Sequence, residues 1–359
     1  MITNQIKDNG VPKVGVVIPS YNSWDDLKVC LDSLKLSTYT NLSIVVVDNA
    51  STDGSVGYAR SHWPNIILIE EANNTGFARA CNRGVSELKK MGVKYVMLLN
   101  QDTTVEPRWA EPLIEYLETH DEAAAAQSLL LRANGKEVNS AGNRIHFLGF
   151  GYAEGDGRSL ADSRIQKFVR GPVEIVYASG AAVMIRMTII EQLGLFQDDF
   201  FMYHEDLDFG WRVRLAGYKS VLVPESRVYH RYDFHRSSRI KYEYGERNRL
   251  IVLLENYHLL TLLLIFPAWL IMEIGVVTMS LLKGWWSEKF RGYLYVISNL
   301  PTIWETRRRH QALRHASERQ IVSGFSGVIA YQDEPSLLLR TVNPIFGLYW
   351  RLIRILIVW

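Results

Sequence analysis

Cysteine is nearly absent from this sequence, because its 359 residues include only Cys30 and Cys81. Both lie in stretches expected to be helical, which favours a reducing compartment over a disulfide framework. Residues 1–13 contain no apolar run, so no secretory signal is expected there. The formal net charge is only +2, which argues against a protein that coats nucleic acid. A hydrophobic content of 48% excludes global disorder.

Glycine-rich phosphate-binding loops are missing as well. The first strand-to-helix turn, at 19–23, is Pro-Ser-Tyr-Asn-Ser. It lacks the Gly-x-Gly-x-x-Gly of dinucleotide enzymes, and the chain has no Walker-type Gly-Lys-Ser/Thr. An NAD oxidoreductase is therefore excluded. A nucleotidyltransferase is disfavoured too, because its first loop would carry glycine and basic residues. If phosphates are bound, a divalent metal is the expected means.

Short apolar strands alternate with amphipathic helices in the first half of the chain. Four strands are predicted, at 14–18, 43–47, 66–69 and 95–99. This alternation predicts an α/β fold with a mostly parallel open sheet flanked by helices, which binds ligands beyond the carboxyl ends of its strands. Residues 19–22, Asp48 and Asp102 all fall at such ends. Residues 120–175 are rich in glycine, and we expect irregular acceptor loops there.

Five segments that occur in collinear order carry a family resemblance. They are VVIPSYN (16–22), VVVDNASTDGS (45–55), NNTGFARACNRG (73–84), LLNQDT (98–103) and FFMYHEDLDFGWR (200–212). Together they resemble glycosyltransferase family 2, in particular its bacterial rhamnosyltransferase-like subgroup. The resemblance implies the GT-A fold, in which a nucleotide-binding α/β half is fused to an acceptor half. We therefore expect a catalytic domain at 1–235 and a helical, basic and amphipathic membrane-associated region at 236–359.

The resemblance also implies a nucleotide-sugar donor and gives roles to matching positions. A carboxylate at Asp48 can accept from a pyrimidine N3–H, so uridine or thymidine donors are expected, with Asp53 as a structural or ribose-side neighbour. Further donor contacts are implied at Pro19, Ser20, Tyr21, Asn22, Asn74, Gly76, Asn100 and Gln101. The usual Asp-x-Asp metal motif is replaced by Asn-Gln-Asp at 100–102, which leaves Asp102 as its one carboxylate ligand for Mg²⁺ or Mn²⁺. His230 either completes the metal shell or is structural.

Inverting transfer needs a carboxylate that takes the proton of the acceptor hydroxyl. The run His-Glu-Asp-Leu-Asp at 204–208 offers three. Asp208 lies four residues before Arg212, and an ion pair between the two would give Asp208 a structural role. Asp206 has no such local partner, and the resemblance also implicates it, so Asp206 is the predicted base. Capping of the helix start is the alternative. Glu205 is expected to orient the acceptor or Asp206.

A basic segment separates the two halves. Between Arg227 and Arg249 there are seven Arg or Lys residues against three Asp or Glu. One interpretation is a solvated helix face. The other is that Arg247 and its neighbours grip a diphosphate, of the donor or of a lipid-linked acceptor.

Residues 259–282 form a long apolar run whose only charge is Glu273. Its length could span a bilayer. Pro267, Glu273 and the basic residues 307–309 favour a re-entrant or in-plane helix instead. Residues 345–359 interleave arginines with Trp and aliphatic residues, which predicts a helix lying in the membrane interface. Packing on the catalytic domain and a dimer contact are the alternatives for that tail.

These features predict an inverting, metal-dependent glycosyltransferase at the cytoplasmic face of the cell membrane, peripheral or monotopic. The expected donor is a UDP- or dTDP-sugar, with rhamnose suggested by the subgroup resemblance. The expected acceptor is a lipid-linked glycan or a polysaccharide. The rival hypothesis is a non-catalytic nucleotide-sugar-binding membrane scaffold, which the presence of Asp102 and Asp206 disfavours. No nucleic-acid partner is expected, and the sequence allows a homo-oligomer.

Overall fold

The structure is a computed structural model that describes residues 10–231, 239–330 and 337–359. The predicted boundary between the two halves, at residue 235, lies outside these ranges, so the division stays a prediction. The strands are β1 (Val14–Ser20), β2 (Leu42–Asp48), β3 (Ile67–Glu70), β4 (Tyr95–Leu99), β5 (Thr103–Val105), β6 (Ala123–Arg132), β7 (Val138–Ser140), β8 (Asn143–Ile145), β9 (Gly151–Ala153), β10 (Val173–Ile175), β11 (Ala182–Arg186) and β12 (Lys219–His230).

Helices cover the sheet and make up the C-terminal region. They are α1 (Trp24–Lys35), α2 (Ser55–His62), α3 (Gly76–Lys90), α4 (Ala110–Thr119), α5 (Ser163–Val169), α6 (Met187–Leu193), α7 (Glu205–Leu215), α8 (Arg239–Asn256), α9 (Leu259–Lys283), α10 (Trp286–Ser298), α11 (Leu300–Ala312), α12 (Glu318–Ile321) and α13 (Leu337–Leu356). Short 3₁₀ turns occur at Asp198–Phe200, before α7, and at Val322–Gly324, after α12.

One large sheet carries the site. Its main strand order is β10-β12-β6-β11-β4-β1-β2-β3, with β5 paired to β12 and β7 paired to β6. Strands β3, β2, β1 and β4 are mutually parallel, and β6 and β12 run in the same direction. Strand β11 is antiparallel between β4 and β6. The predicted α/β class with a mostly parallel open sheet is therefore confirmed.

The four strands predicted in the first half are all present; β4 has the predicted bounds, and the ends of the others differ by at most two residues. Continuous β-branched runs form them because both faces of a parallel sheet are covered by helices. The expectation that residues 120–175 would be irregular is wrong in part. Residues 123–132, with the sequence AAAAQSLLLR, form the ten-residue strand β6 at the centre of the sheet. Alanine has little strand propensity, so burial between neighbouring strands decides this segment.

The C-terminal helices pack against α7, which α8, α11 and α12 all contact, and α8 also contacts α10 and α11. Buried charges join α8 to the helices beyond it. Arg249 of α8 bonds Glu246 and Glu273 at 2.8 Å each, and Lys289 of α10 also bonds Glu246, at 2.6 Å. Because each buried charge has an opposite partner, this network holds the three helices α8, α9 and α10 together.

Helix α9 has an inverted distribution of polarity. Three of the six residues that it buries against the protein are polar or charged, whereas many of its large hydrophobic side chains point outward. The buried residues are Thr261, Ile265, Ala268, Glu273, Val276 and Ser280. Those exposed side chains are Leu259, Leu260, Leu263, Phe266, Leu270, Ile271, Ile274, Leu281 and Leu282. Among the described residues, α9 is the one helix long and apolar enough to cross a membrane. A helix with its polar side toward the protein suits an apolar surrounding.

Candidate active site

Three buried polar atoms without hydrogen-bond partners among the described residues lie at neighbouring strand ends. Asp48, at the end of β2, is only 2% exposed, and its Oδ2 accepts from the backbone N–H of Ser51 at 2.8 Å. Its Oδ1 has no such partner, and the same holds for Ser20 Oγ and Asn100 Oδ1. Because an unsatisfied buried polar atom is costly, these three atoms are suited to bind a ligand.

The loops around these atoms are joined by hydrogen bonds. The backbone N–H of Tyr21 donates to Gln101 Oε1 at 2.9 Å, and Gln101 Nε2 donates to the Tyr21 carbonyl at 3.2 Å. Asn22, in the left-handed region with φ of 44°, accepts from the N–H of Thr52 at 2.8 Å. Residues 19–22 and Gln101 therefore form one rim beside Asp48, with the Tyr21 ring exposed to solvent.

Asp102 and His230 face each other at the end of β4 and the end of β12. The distance between Asp102 Oδ1 and His230 Nε2 is 3.3 Å. Asn139 Oδ1 lies 2.9 Å from His230 Nδ1. In the tautomer in which Nδ1 donates to this oxygen, Nε2 presents a lone pair toward the carboxylate. Asn100 Nδ2 lies 3.4 Å from the same Nε2.

This arrangement fits a divalent cation. Two lone-pair atoms bound to one octahedral ion at about 2.1 Å lie roughly 3 Å apart, close to the observed separation. The orphaned Asn100 Oδ1 offers a further oxygen nearby. Carboxylate, amide and imidazole together suit Mn²⁺, and Mg²⁺ with oxygen ligands is the alternative. The second ring nitrogen of the histidine is oriented by Asn139, as is usual for metal-bound histidines.

Asp206 lies in the first turn of α7, against the segment that leads into β11. Its Oδ2 accepts from the N–H of Gly180 at 3.2 Å, and its Oδ1 accepts from the N–H of Leu207 at 2.8 Å. The helix begins at Glu205, and its N-cap position is His204, so Asp206 does not itself cap the helix. A Cβ at Gly180 would lie 3.2 Å from the ring of Phe77, a tight contact that would require the ring to shift.

The two adjacent carboxyls are both shifted toward their neutral forms. Burial raises the pKa of Asp206, and the two backbone hydrogen bonds offset this only partly. Burial also raises the pKa of Glu205, and the neighbouring Asp206 raises it further. Glu205 Oε2 is buried without a partner among the described residues. A carboxyl whose pKa is raised toward neutrality is suited to accept and release a proton.

A continuous series of contacts connects the donor side to the predicted base. Asn49, next to Asp48, accepts from the N–H of Thr75 at 3.2 Å and donates to the carbonyl of Gly76 at 3.4 Å. Gly76 packs against Phe201, with φ of 85°, and a Cβ there would clash with the Phe201 carbonyl. The turn that contains Phe201 leads directly into α7. Gly76 thus has a packing role besides its predicted closeness to the nucleotide.

Hydrogen bonds to residues 180 and 181, which precede strand β11, connect the end of β4, near the Asp102–His230 pair, to the predicted base. The N–H of Asn100 donates to the carbonyl of Ala181 at 3.0 Å, and the preceding residue, Gly180, donates to Asp206. The residue that binds Asp206, Gly180, is therefore the chain neighbour of Ala181, the partner of Asn100. The structure brings Asp48, Asp102 and Asp206 to one edge of the sheet.

Other predicted site residues have contacts that explain them locally. Asp53 accepts from the N–H groups of Trp24 at 2.9 Å and Ser55 at 3.1 Å, which joins α1 to α2. Asn74 is exposed, and its Oδ1 accepts from the N–H of Gly76 at 2.9 Å. The predicted ion pair between Asp208 and Arg212 is present, buried, at 2.8 Å.

Arg247 is buried rather than solvated. Its Nε donates to Asn248 Oδ1 at 2.9 Å, and its terminal nitrogen donates to the carbonyl of Asp199. The guanidinium carbon lies 4.6 Å from the ring centroid of Tyr244 and 4.3 Å from that of Tyr295. The interpretation as a solvated helix face is wrong for this residue. Its role as a diphosphate ligand stays a prediction.

A second group of titratable side chains lies between α7, α8 and α11. Ligand atoms of Asp208, Glu255 and His310 lie within 4.8 Å of one another. Both oxygens of Asp208 are already bonded, one to Arg212 and one to Asn256, each at 2.8 Å. Because the guanidinium supplies the positive charge, this group is a buried joint between helices rather than a second cation site.

Two asparagines of the site were not predicted from the sequence. Asn49 ties the donor loop to Gly76, and Asn139 orients His230. Asn49 was within a recognised motif but next to the more conspicuous Asp48. Asn139 lies in strand β7, far from the motif residues in the chain, and no local pattern marks it.

The chain is similar to known proteins of one family. The family model described as "Glycosyl transferase family 2" matches residues 15–194. A relative from Mycobacterium tuberculosis, named N-acetylglucosaminyl-diphospho-decaprenol L-rhamnosyltransferase, is 28% identical over 229 residues, which are 60% of this chain and 75% of the relative. The uncharacterized glycosyltransferase YibD of Escherichia coli K12 is 36% identical over 109 residues, 30% of each chain.

A solved structure shares the fold. The crystal structure of GalNAc-T7 with UDP, GalNAc and Mn²⁺ aligns with a TM-score of 0.53 and 17% identity, and the match covers 68% of this chain and 48% of the other. This chain therefore spans about half the length of that structure. The likeness confirms the predicted GT-A architecture. The matched family span includes Asp48 and Asp102, whereas Asp206 and His230 lie beyond its end.

Proposed function

Because the chain belongs to glycosyl transferase family 2, we propose that it transfers a sugar, with inversion, from a pyrimidine nucleoside diphosphate to a membrane-held glycan acceptor. The observation that carries this proposal is the meeting of Asp48, the Asp102–His230 pair and Asp206 at one edge of the sheet. These groups correspond to the three needs of the reaction: a base-binding carboxylate, a diphosphate-neutralising cation and a proton acceptor.

The chemistry follows from what each group can do. The orphaned Oδ1 of Asp48 accepts the N3–H of the pyrimidine, which orients the donor. Asp206 takes the proton of the acceptor hydroxyl as its oxygen attacks the anomeric carbon from the face opposite the diphosphate. Asp102 and His230 would hold a Mg²⁺ or Mn²⁺ ion that neutralises the departing diphosphate. In-line attack inverts the anomeric configuration because no covalent sugar–enzyme intermediate intervenes.

A donor screen tests the proposal. We expect Mn²⁺-dependent release of the nucleoside diphosphate from UDP- or dTDP-sugars, and dTDP-rhamnose is the first candidate because of the mycobacterial relative. Release should require an acceptor of the polyprenyl-diphosphate-sugar class. Thermal stabilisation by nucleotides would be measured in parallel. A response limited to guanosine donors would contradict the assignment at Asp48, since guanine presents a different pattern of donors and acceptors.

The exposed apolar side chains support a membrane-held acceptor. Helix α13 lies beside α9, and the Tyr349 hydroxyl donates to the carbonyl of Leu264 at 2.6 Å. Outward-facing hydrophobic residues continue from α9 onto its neighbours. Those on the neighbours are Trp286, Phe290, Leu294, Ile297, Ile345, Leu348, Leu352, Ile355 and Leu356. A contiguous apolar surface of this kind marks a membrane or protein interface.

Contacts along α9 favour an in-plane position over a bilayer span. Two side-chain contacts connect α8 to α9 and to the residues that follow it: Arg249 bonds Glu273 near the middle of α9, and Tyr242 stacks on Trp285 beyond its end at 4.5 Å. A spanning α9 would therefore carry the charged first half of α8 into the bilayer, which is costly. In the interface plane, α9 exposes its apolar side to lipid while α8 stays in water.

Charges added to the outer side of α9 should release the protein from membranes. Ile271 and Ile274 are 65% and 61% exposed, and burying each in lipid contributes about 1.5 kcal/mol or more. Replacing both by glutamate is expected to lower vesicle partitioning about 100-fold. The matched control replaces Val29 and Leu36, 44% and 69% exposed at α1, by glutamate. Equal partitioning of the two double variants in a flotation assay would contradict the proposal that the outer side of α9 binds the membrane.

Topology is tested by labelling single introduced cysteines. Both native cysteines are buried, so a membrane-impermeant maleimide would react mainly at Leu259→Cys or Lys283→Cys, near the two ends of α9. An in-plane helix at the cytoplasmic face predicts labelling of both positions in inside-out vesicles and of neither in intact cells. Labelling of the two ends from opposite sides would establish a span.

A further inference from the structure

The turn that leads into the predicted base has a strained backbone. Phe201, Tyr203 and His204 have φ values of 60°, 69° and 70°, in a region that side chains larger than glycine adopt only at an energetic cost. The next residues along the chain are Glu205 and Asp206. Strain of this kind persists only when surrounding contacts hold it, so the contacts of this turn determine where α7 begins.

One buried side chain of α8 makes the main contacts. Asn248 is 0% exposed, and its Nδ2 lies 2.9 Å from the carbonyl oxygen of Phe200, 3.1 Å from that of Met202 and 2.8 Å from that of Tyr203. Its two amide hydrogens are thus shared among three acceptors of the strained turn. The carbonyls of this turn converge on a single donor group.

Neighbouring contacts fix the orientation of that amide and the far side of the turn. Arg247 Nε donates to Asn248 Oδ1 at 2.9 Å, which directs the nitrogen toward the turn. On the opposite side, the carbonyl of Phe201 accepts from the N–H of Ala78 at 3.2 Å. The turn is therefore held between α8 and the start of α3. Helix α3 begins at Gly76, which the resemblance places near the donor nucleotide.

From these contacts we infer that Asn248 is a positioning residue for Asp206, an inference that rests on the proposed function. The base is held to Gly180 by a hydrogen bond of 3.2 Å, which a small shift of the helix start would break. Reacting groups misplaced by about 1 Å can lose about 100-fold in rate. Asn248 acts on the reaction through the turn and does not touch the substrate.

Asn256 provides an internal comparison in the same helix. It is also 0% exposed, and its side-chain amide donates to Asp208 Oδ1 at 2.8 Å. Among the residues that the structure describes, none of its hydrogen bonds is to residues 200–204. Its partners beyond α8 are Asp208, His310, Gln311 and Arg314. A change from asparagine to aspartate keeps the shape but replaces the amide donor by a buried carboxyl at either position. Both variants share this cost in stability, so a difference between them in catalysis reports on positioning.

The test compares Asn248→Asp with Asn256→Asp. At Asn248 we expect kcat for transfer to fall about 10- to 100-fold while the donor KM changes less than about threefold. The acid limb of the kcat–pH profile, where kcat falls as the pH drops, should also move to lower pH. A displaced Asp206 is more exposed to solvent, so burial raises its pKa less. At Asn256 we expect lower thermal stability with the acid limb unchanged.

Hydrogen exchange supplies a measurement that does not depend on transfer. In Asn248→Asp, peptides covering residues 200–207 should exchange faster, whereas those covering 209–215 of α7 should not. Asn248→Ser, whose shorter side chain removes the same contacts without adding a carboxyl, should also speed exchange in the turn and serves if the aspartate variant does not fold. Unchanged exchange in the turn, or an acid limb equal to that of Asn256→Asp, would overturn the inference. A wild-type protein without transfer activity would instead refute the proposed function, and the exchange result would still decide the role of Asn248.

Discussion

Replacing Asp206 by asparagine is expected to lower the rate of sugar transfer about 1,000-fold at neutral pH, within the range of general-base catalysis. Asparagine keeps the shape and one acceptor for the N–H of Gly180, which Asp206 now binds at 3.2 Å, but it cannot take a proton. Donor affinity should be nearly unchanged, because Asp48 and the metal pair are intact. Steady-state transfer and nucleotide binding by calorimetry would be measured on the same preparation.

A nearby exposed carboxylate provides the control for that substitution. Asp198, in the 3₁₀ turn before α7, forms a surface pair with Arg79 at 3.6 Å. Asp198→Asn should keep at least about half of the transfer rate, because exposed ion pairs contribute little. Wild-type turnover in Asp206→Asn would refute the base assignment. A loss of donor binding equal to the loss of rate would indicate a structural role.

The pH profile gives an independent check on the same residue. Burial raises the pKa of Asp206, so its carboxyl stays protonated at a pH where an exposed aspartate, with a pKa of about 3.9, is ionised. Since the base works only when ionised, kcat should fall as the pH drops through this raised pKa. In the wild type we expect kcat to fall at a pH above the ordinary carboxylate range. The residual activity of Asp206→Asn should not show this fall. A limb near pH 4 in the wild type would contradict the raised pKa.

Much of the first half of the chain could be predicted, because the sequence patterns that indicate its strands and strand-end residues are local. A β-branched run that ends in a polar residue specifies both the strand and the position of that residue at the sheet edge, as with β2 and Asp48. The same reasoning identified Asp102 after β4. Strand β6 was missed since its alanines carry no strand signal, and only pairing with β11 and β12 makes the segment extended.

Contacts between distant segments could not be predicted in this way. Asn139 orients His230, and Asn248 binds a turn 45 to 48 residues away. Nothing in the neighbouring sequence distinguishes these asparagines from surface ones. The inverted polarity of α9 was hidden for a different reason: composition revealed its length and hydrophobicity, but which side faces the protein depends on Arg249 of α8.

Substitutions at the metal pair should separate binding of the ion from the chemistry of Asp206. In Asp102→Asn we expect Mn²⁺ affinity in the presence of nucleoside diphosphate to fall at least about 100-fold, because a direct ligand matters more than the 10- to 100-fold typical of an outer-shell partner. In Asn139→Ala, which leaves His230 Nδ1 without its partner at 2.9 Å, the Mn²⁺ affinity should fall about 10-fold. Mn²⁺ binding would be followed by electron paramagnetic resonance of the free ion, and transfer would be measured at saturating metal.

The buried joint between helices supplies the discriminating control for this experiment. Glu255 lies in the one other carboxylate–histidine group found among the described residues, with Asp208 and His310. Because Arg212 already neutralises that group, Glu255→Gln should leave Mn²⁺ affinity unchanged. The reverse pattern, with affinity lost in Glu255→Gln and kept in Asp102→Asn, would move the ion to the joint and remove the cation from the sugar-transfer site. Loss of affinity in Asp102→Asn and Asn139→Ala alone would tie the ion to the ends of β4 and β12, beside the orphaned Asn100 Oδ1. A diphosphate bound at the sheet edge can reach that position.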